Sequence, residues 1–480
     1  LAALYEQFAP SGVSIQVTGQ PQAEVQLPEG FELPPGSDIP GQGQPQRGGQ
    51  KQGSGGRRGQ PARDTRAGKG TFDPRNRSPK GPRDPRSRSP KGTRDARGPN
   101  PHRERGHTAP ALPPAGPSID PRQLEQALSA RAPLREGEWL WTTREGAERD
   151  LIEELLIAAP DGALRPRKLD ASLVASSAAP PLQEGRLDVT FARQGFKVLR
   201  VARSTEISDV VGELKPALAA QLADQPGHAH ALHVFVPDSA HGNELSTRAE
   251  ALRTGLEQAL DAGSPAPLER LDDAQLRRHG GLYAQVCVCD AQTAALGCGP
   301  STQALSLWPG GRSRMRLGGD FPSRAARKLA EAFAWLGIAP GSGELCVDLG
   351  AAPGGWSWLL LEKRARVIAV DPARMDPKLM QNSRLRHVQG SAFEYTPEEP
   401  VDWLFCDMAW RPLEVAQMLG RWARRRQTRL LVANFKLPMK RKVEMVQRLR
   451  QLLEHSGFTS VRTRQLYHDR EEITLTAHVR

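Results

Sequence analysis

The sequence predicts an α/β protein whose last third is a doubly wound, mostly parallel sheet. Three features carry that prediction. From about residue 311 onward, continuous apolar runs alternate with helical patterns; between 121 and 310 strands and helices alternate more loosely; and the first 120 residues include a long Gly-, Pro- and Arg-rich stretch almost without aliphatic side chains. A strand covered by helices on both faces reads as an unbroken apolar run, and a segment with little apolar surface cannot offset the entropy of ordering its backbone. At 480 residues the chain is long enough for several domains, each burying its own core without a disulfide or metal staple.

A disordered basic tail is expected over 1–120. Residues 1–36 hold scattered apolar residues without sustained periodicity, and from Gly36 to Pro117 the composition is dominated by Gly, Pro, Arg, Gln and Ser. Within it DPRNRSPKGPRD (73–84) runs into DPRSRSPKGTRD (84–95), an eleven-residue repeat of low complexity. Between 41 and 108, eighteen Lys/Arg face five Asp/Glu, a local +13 in a chain of formal net charge +12. The tail thus holds essentially all the excess positive charge. It suits a non-specific polyanion tether that releases counterions from a phosphate backbone, and equally a solvated tail. The first residue is Leu rather than Met, as expected of a fragment or of a start codon other than ATG.

Order is expected to resume near Arg122, with one α+β module over 121–200 and a second over 201–310. In the first, EWLWTT (138–143) reads as a strand, GAERDLIEELLIAA (146–159) as an amphipathic helix with Leu151, Leu155 and Leu156 at helical spacing, and LDVTFARQGFKVLRV (187–201) as an alternating strand. The second contains ISDVVGELKPALAAQLA and ALRTGLEQALDA (251–262) as helices, and HALHVFVPD (230–238) and LYAQVCVCD (282–290) as strands. Nothing in either module has a catalytic pattern.

The domain over 311–480 supplies five strands: ELCVDLG (344–350), ARVIAVD (365–371), VDWLFCDM (401–408), RLLVANFKL (429–437) and EEITLTAHV (471–479). Doubly wound sheets bind ligands at the carboxyl ends of their strands, so the chemistry is expected there. The sharpest motif is VDLGAAPGGW (347–356), where a buried strand ends in Asp348 and passes through Gly350, Ala352, Pro353, Gly354 and Gly355 into a helix. Its spacing is neither GxGxxG nor GxxxxGK[ST]. Sixteen residues past Gly355 the next strand ends in Asp371, where an acid can accept both ribose hydroxyls of a nucleoside cofactor.

Four ionisable residues fall at strand ends or element boundaries of this domain. Lys328 lies in SRAARKLAEAF, off the apolar face formed by Ala326, Leu329, Ala330 and Phe333; Asp407 follows the strand WLFC; Lys436 ends LLVANF; and Glu472 opens a strand whose Ile473, Leu475, Ala477 and Val479 share the opposite face. Each alone reads as a surface charge or a structural ion pair. Together, in one sheet with a ligand loop, they read as a site, and a desolvated lysine flanked by positive charge can act as a general base.

With these motifs in place, 311–480 resembles the FtsJ-like ribose 2′-O-methyltransferases, whose Lys-Asp-Lys-Glu tetrad falls on Lys328, Asp407, Lys436 and Glu472. NFKLPMK (434–440) and RQLYHDREEITL (464–475) resemble the RlmM-type family within that group, which methylates a cytidine ribose of 23S ribosomal RNA. FARQGFKV (191–198) and the stretch 201–308 are similar to that family's ferredoxin-like and THUMP modules, so the resemblance covers 137–480. It implies a Rossmann-like domain that holds S-adenosyl-L-methionine with Asp348, Gly350, Ala352 to Gly355, Asp371, Ser391 and Asp407, with Lys436 as proton acceptor. Two positions depart from the family pattern: Ala325 stands where a cofactor-contacting Ser is usual, and Ser391 where an Asp near the adenine is usual.

The resemblance further implies an RNA partner, 23S ribosomal RNA or a large-subunit precursor, and a monomer. The basic segments WARRRQTR (422–429) and KLPMKRK (436–442) read as phosphate holders beside the site or as ordinary solvated surface charge. Transfer-RNA base methyltransferases with THUMP modules typically carry an Asn/Asp-Pro-Pro-aromatic motif, which CDMAWRP (406–412) lacks; the intact tetrad argues against a non-catalytic RNA-binding or assembly factor, while Ala325 and Ser391 leave that alternative open. No metal is required. Five scattered cysteines, partly inside apolar runs, suit reduced thiols in a cytoplasm, and Cys287, Cys289 and Cys298 lack the paired CxxC of a zinc site. No run of about 18 apolar residues suggests a membrane span. Deleting residues 1–117 is expected to leave the melting temperature of the remainder near that of the parent, and, where the tail grips RNA, to flatten the salt dependence of RNA affinity.

Overall fold

The computed structural model describes residues 119–223, 230–263, 269–315, 317–319 and 321–479. The tail and its repeat lie outside these residues. The described chain runs in order through α1 (Pro121–Ser129), β1 (Trp139–Thr142), α2 (Glu148–Ala158), β2 (Arg167–Asp170), β3 (Leu173–Ser176), β4 (Gln194–Arg203), α3 (Ile207–Ala223), β5 (His230–Phe235), α4 (Ala240–Glu244), α5 (Ser246–Gly263), α6 (Asp273–His279), β6 (Leu282–Val288) and β7 (Thr293–Pro300). It continues through α7 (Ala325–Leu336), β8 (Leu345–Leu349), α8 (Gly355–Glu362), β9 (Arg366–Val370), β10 (Leu385–Val388), β11 (Val401–Asp407), α9 (Pro412–Arg424), β12 (Thr428–Lys436), α10 (Lys442–His455), β13 (Phe458–Arg464) and β14 (Glu472–Val479).

The first seven strands form one sheet in the order β2-β3-β1-β4-β7-β6-β5. Its middle strand, β4, crosses the boundary drawn from sequence at 200/201, pairing with β1 through Gln194–Lys197 and with β7 through Val198–Arg203. Gly195 opens the space this requires: a Cβ there would lie 2.3 Å from the buried Trp141 ring. That ring is held by its indole N–H, which donates to Ser176 Oγ at 2.8 Å. The expected strand over 187–201 begins only at Gln194. Ahead of it the amides of Thr190 and Phe191 donate to the Glu154 carboxylate at 2.6 and 3.0 Å, so no neighbouring strand can take them.

The second sheet is ordered β10-β9-β8-β11-β12-β14-β13. The first five are mutually parallel, and β14 is antiparallel to both β12 and β13. The five strands read from the sequence are present; β10 and β13, short or weakly apolar, are additional. The strand order reverses between β8 and β11, which opens a crevice at their carboxyl ends. Helix α7 packs there by Ala326, Leu329, Ala332 and Phe333, and stops at Gly337, whose left-handed conformation (φ 76°) lets its N–H return to the Phe333 carbonyl. Leu151, Ile152 and Leu155 of α2 share one core with Leu449, Leu452 and Leu453 of α10, so the two sheets are joined by apolar packing as well as by chain. Among the described residues no helix is long and apolar enough to cross a membrane.

Candidate active site

At the carboxyl edge of β8 the chain turns through Gly350, with φ 78°, and Gly354, with φ 119°, conformations that side chains with a Cβ rarely adopt. Space is as restrictive as angle. A Cβ on Gly350 would lie 2.6 Å from Met408, one on Gly354 2.3 Å from Leu379, and one on Gly355 2.2 Å from the Ser323 hydroxyl. Neighbouring elements therefore close directly onto the loop, while at its tip Pro353 is exposed and Ala352 half-buried. Asp371, at the end of β9, holds that tip by accepting from the Ala352 amide at 3.1 Å and the Ala373 amide at 2.7 Å.

Asp348 lies wholly buried beneath the loop. Ser357 donates to its Oδ2 at 2.7 Å, whereas its Oδ1 is buried without a hydrogen-bond partner among the described residues. Burial pushes its carboxyl up to about 7. Ser391 follows β10, the neighbour of β9, and its hydroxyl accepts from the Phe393 amide at 3.2 Å. The Ala325 carbonyl accepts from the Trp356 indole at 3.0 Å, tying the start of α7 to α8. A carboxyl oxygen left unpartnered under the loop, a half-buried acid at the next strand end and an exposed tip between them fit a nucleoside cofactor with a charged amino-acid tail.

The tetrad assembles from four separate elements. Asp407 is level with Asn434 in the parallel β11/β12 pair, and Lys436 stands opposite Glu472 in the antiparallel β12/β14 pair. Side chains two apart share a face, so Asp407, Asn434, Lys436, Glu472 and Thr474 all belong to one side of the sheet. Lys328 comes down from α7 between the two acids, 3.6 Å from Asp407 Oδ1 and in closer contact with Glu472 Oε2. Burial works against its charge, but Asp407 and Glu472 outweigh it and hold the ammonium above the usual lysine range. Burial raises Asp407, against the pull of Lys328. Lys436 is exposed, and among the described residues no carboxylate pairs with it.

Sequence reasoning missed a polar layer beneath these four. Glu331, one turn along α7 from Lys328, is only 6% exposed. Its carboxylate accepts from the amides of Tyr467 and His468 at 2.8 and 3.0 Å, fixing the loop that leads into β14. Asp469 in that loop is buried; its Oδ2 accepts from the Leu466 amide at 3.0 Å and lies 3.0 Å from Thr474 Oγ1, itself 2.8 Å from Asn434 Oδ1. Thr474 has one hydroxyl proton for two acceptors, an imbalance that a protonated Asp469 removes. Burial, with Glu331 nearby, pushes Asp469 up to about 8. The available signal was Asn434, a polar residue within the apolar run LLVANF, two positions before Lys436.

One expectation is corrected. Helix α9 leaves the carboxyl end of β11 and runs back along the sheet, so WARRRQTR arrives at the amino ends of the strands, away from the site. There Arg429 pairs with Asp402, near the start of β11, at 2.9 Å, and Arg424 donates to Ser456 at 2.7 Å. KLPMKRK stays at the carboxyl edge, with Lys442 engaged by Asp150 at 3.3 Å and Glu471 at 2.8 Å.

The FtsJ-like methyltransferase family model matches residues 321–447. The chain is 33% identical over 362 residues to the ribosomal RNA large subunit methyltransferase M of Alkalilimnicola ehrlichii, covering 71% of this chain and 94% of that protein. It is also 33% identical to the proteins of the same name from Xanthomonas oryzae, over 70% of this chain and 97% of that one, and Stenotrophomonas maltophilia, over 70% and 95%.

Asp348 and Asp469 keep a proton in the folded chain at pH values where an unfolded Asp, near 3.9, has lost it. Between about pH 4 and the folded values the native state binds more protons, so stability falls as pH rises through that window. Asp469→Asn preserves shape and removes one titration. The variant is expected to lose less melting temperature than the parent between about pH 5 and 8; parallel slopes in a pH series of thermal melts would show that Asp469 is already ionised in the fold.

Proposed function

The chain belongs to the ribosomal RNA large subunit methyltransferase M family, FtsJ-like enzymes that methylate a 2′-hydroxyl of 23S ribosomal RNA with S-adenosylmethionine, and from that premise we propose that the acceptor is a cytidine ribose and Lys436 its general base. The observation that carries this reading is the division between the two tetrad lysines. Lys328 is held charged between Asp407 and Glu472 and so has no lone pair with which to accept a proton, whereas Lys436 is exposed and, among the described residues, has no carboxylate partner at the carboxyl edge of a central strand.

S-adenosylmethionine supplies a methyl carbon on a positive sulfonium, ready for in-line transfer. Asp348, Gly350, Ala352 to Gly355, Asp371, Ser391 and Asp407 would hold it, the first through its unpartnered Oδ1 and Asp371 through the carboxylate that already steadies the loop. Lys436 takes the proton from the attacking 2′-hydroxyl. Since Lys436 is exposed in the free chain, the arriving RNA itself removes water from it. Lys328 fixes the positions of Asp407 and Glu472, which otherwise would repel each other. The amino-terminal body, expected as ferredoxin-like and THUMP-like modules over 121–200 and 201–310, holds the RNA in this reading, and five free thiols suit a cytoplasmic setting.

Asp371→Ala removes an acceptor for the cofactor and the brace of the loop together, so calorimetry should show S-adenosylmethionine affinity reduced roughly tenfold or more; unchanged affinity would take Asp371 out of the cofactor site. Lys436→Ala should lower single-turnover rate by about 10²- to 10⁴-fold at near-parent cofactor affinity. Lys436→Arg should not restore it, because guanidinium does not give up its proton in proteins. Near-parent rates for the Arg variant at saturating RNA would mean that position 436 supplies charge and not proton transfer.

A further inference from the structure

Two large apolar side chains stand exposed at the mouth of the site, Trp410 at 53% and Met439 at 93%. Trp410 lies three residues beyond Asp407, and Met439 three beyond Lys436. Because β11 and β12 are adjacent and parallel, with Asp407 level with Asn434, both segments emerge side by side over the tetrad.

Trp410 is not a loose surface residue. Its indole N–H donates to Glu414 at 2.8 Å, its amide returns to the Met408 carbonyl at 2.8 Å, and its ring leans on Phe393 with centroids 5.8 Å apart. The ring is thus fixed in place while half of it stays in water. The Met439 loop is anchored where the Leu437 amide donates to the Glu471 carbonyl at 2.8 Å. Cationic side chains flank both: Arg411 and Arg441 are each 82% exposed, and Lys440 is exposed. Fixed aromatic surface beside cations suits a nucleotide, with its flat apolar base and anionic phosphate.

We propose that Trp410, with Met439, is the platform on which the base of the acceptor nucleotide rests while its 2′-hydroxyl reaches Lys436. The proposal rests on the reading of the site as an RNA ribose methyltransferase. A ribose can enter a site at the edge of a sheet only if its nucleotide leaves the base stack. An aromatic face waiting there replaces part of the stacking lost. Trp410 is then a residue for substrate positioning, and takes no part in proton or methyl transfer.

The test compares the full-length parent, Trp410→Ala, Trp410→Phe and Met439→Ala on unmethylated 23S ribosomal RNA transcript, with a second transcript that lacks only the base of the acceptor nucleotide. Trp410→Ala is expected to raise KM for the intact RNA roughly five- to a hundredfold, the range for losing one base–aromatic stack, with S-adenosylmethionine affinity and melting temperature unchanged. Trp410→Phe should recover most of the loss, and Met439→Ala should show a smaller one. On the abasic transcript the parent should fall to the level of Trp410→Ala, and the variant should lose nothing more. If the parent methylates the intact RNA and Trp410→Ala keeps KM within twofold, or loses as much again on the abasic transcript, the platform is overturned and the ribose reading stands. If the parent methylates no ribose, that reading fails, and the platform with it. If RNA leaves Trp410→Ala unaffected but binding to a protein partner is lost, the exposed ring belongs to a protein contact instead.

Discussion

Lys436 stands opposite Glu472 because β14 pairs with β12 in one register, from Leu430 against His478 to Lys436 against Glu472. A slip of one residue would send every side chain of β14 to the other face of the sheet. The core prevents it. Ile473, Leu475 and Ala477 lie against Phe435, Ala433 and Leu431, all at most 1% exposed, so the apolar half of the alternation determines where the polar half points. The tetrad is thus a by-product of hydrophobic register: packing on one face places Glu472, Thr474, Asn434 and Lys436 together on the other.

The same placement creates an electrostatic problem, and the structure handles it asymmetrically. Asp407, Glu472 and Asp469 converge on a space with little water, where like charges are costly. Lys328 offsets the first two. Removing one partner of a fully buried ion pair costs about 3–5 kcal/mol, and the cost here is smaller because Lys328, Asp407 and Glu472 retain 18%, 21% and 25% side-chain exposure. Asp469 is relieved differently, by keeping its proton. Lys328 is consumed in this balance, while Lys436 stays exposed and, among the described residues, without a carboxylate partner.

Much of the doubly wound sheet was legible in the sequence because buried parallel strands are long and apolar; Asp407, Lys436 and Glu472 were legible because each sits at an end of a strand, whereas Lys328, inside α7, stood out only as a charge off that helix's apolar face. In this sheet the strands that went unread were those whose pattern is weak: β10, a four-residue edge strand, and β13, in which Val461 is flanked by polar residues on both sides. Glu331 and Asp469 could not be found by strand-end reasoning, since one lies within a helix and the other in a loop; only the tertiary fold buries them together. The segment WARRRQTR misled for a related reason. Charge composition marks a basic cluster but not the end of the sheet to which a thirteen-residue helix delivers it.

The irregular segment before β4 shows how far the site's support extends. Read for alternation alone, 187–193 is a strand, yet its polar backbone groups go elsewhere. The Thr190 and Phe191 amides are taken by Glu154, the Thr190 carbonyl accepts from the Gln465 amide at 2.8 Å, and the Arg193 carbonyl accepts from the Arg464 guanidinium at 2.6 Å. Arg193 in turn places its guanidinium 5.0 Å from the centre of the Tyr467 ring. Tyr467 belongs to the loop that Glu331 fixes from the other side, and that loop leads straight into Glu472. The acid that positions Lys328 is therefore braced by α7 and by the connector of the amino-terminal sheet at once. A connector that had formed a regular strand would have spent those groups on a neighbour, and the loop would have lost one of its two supports.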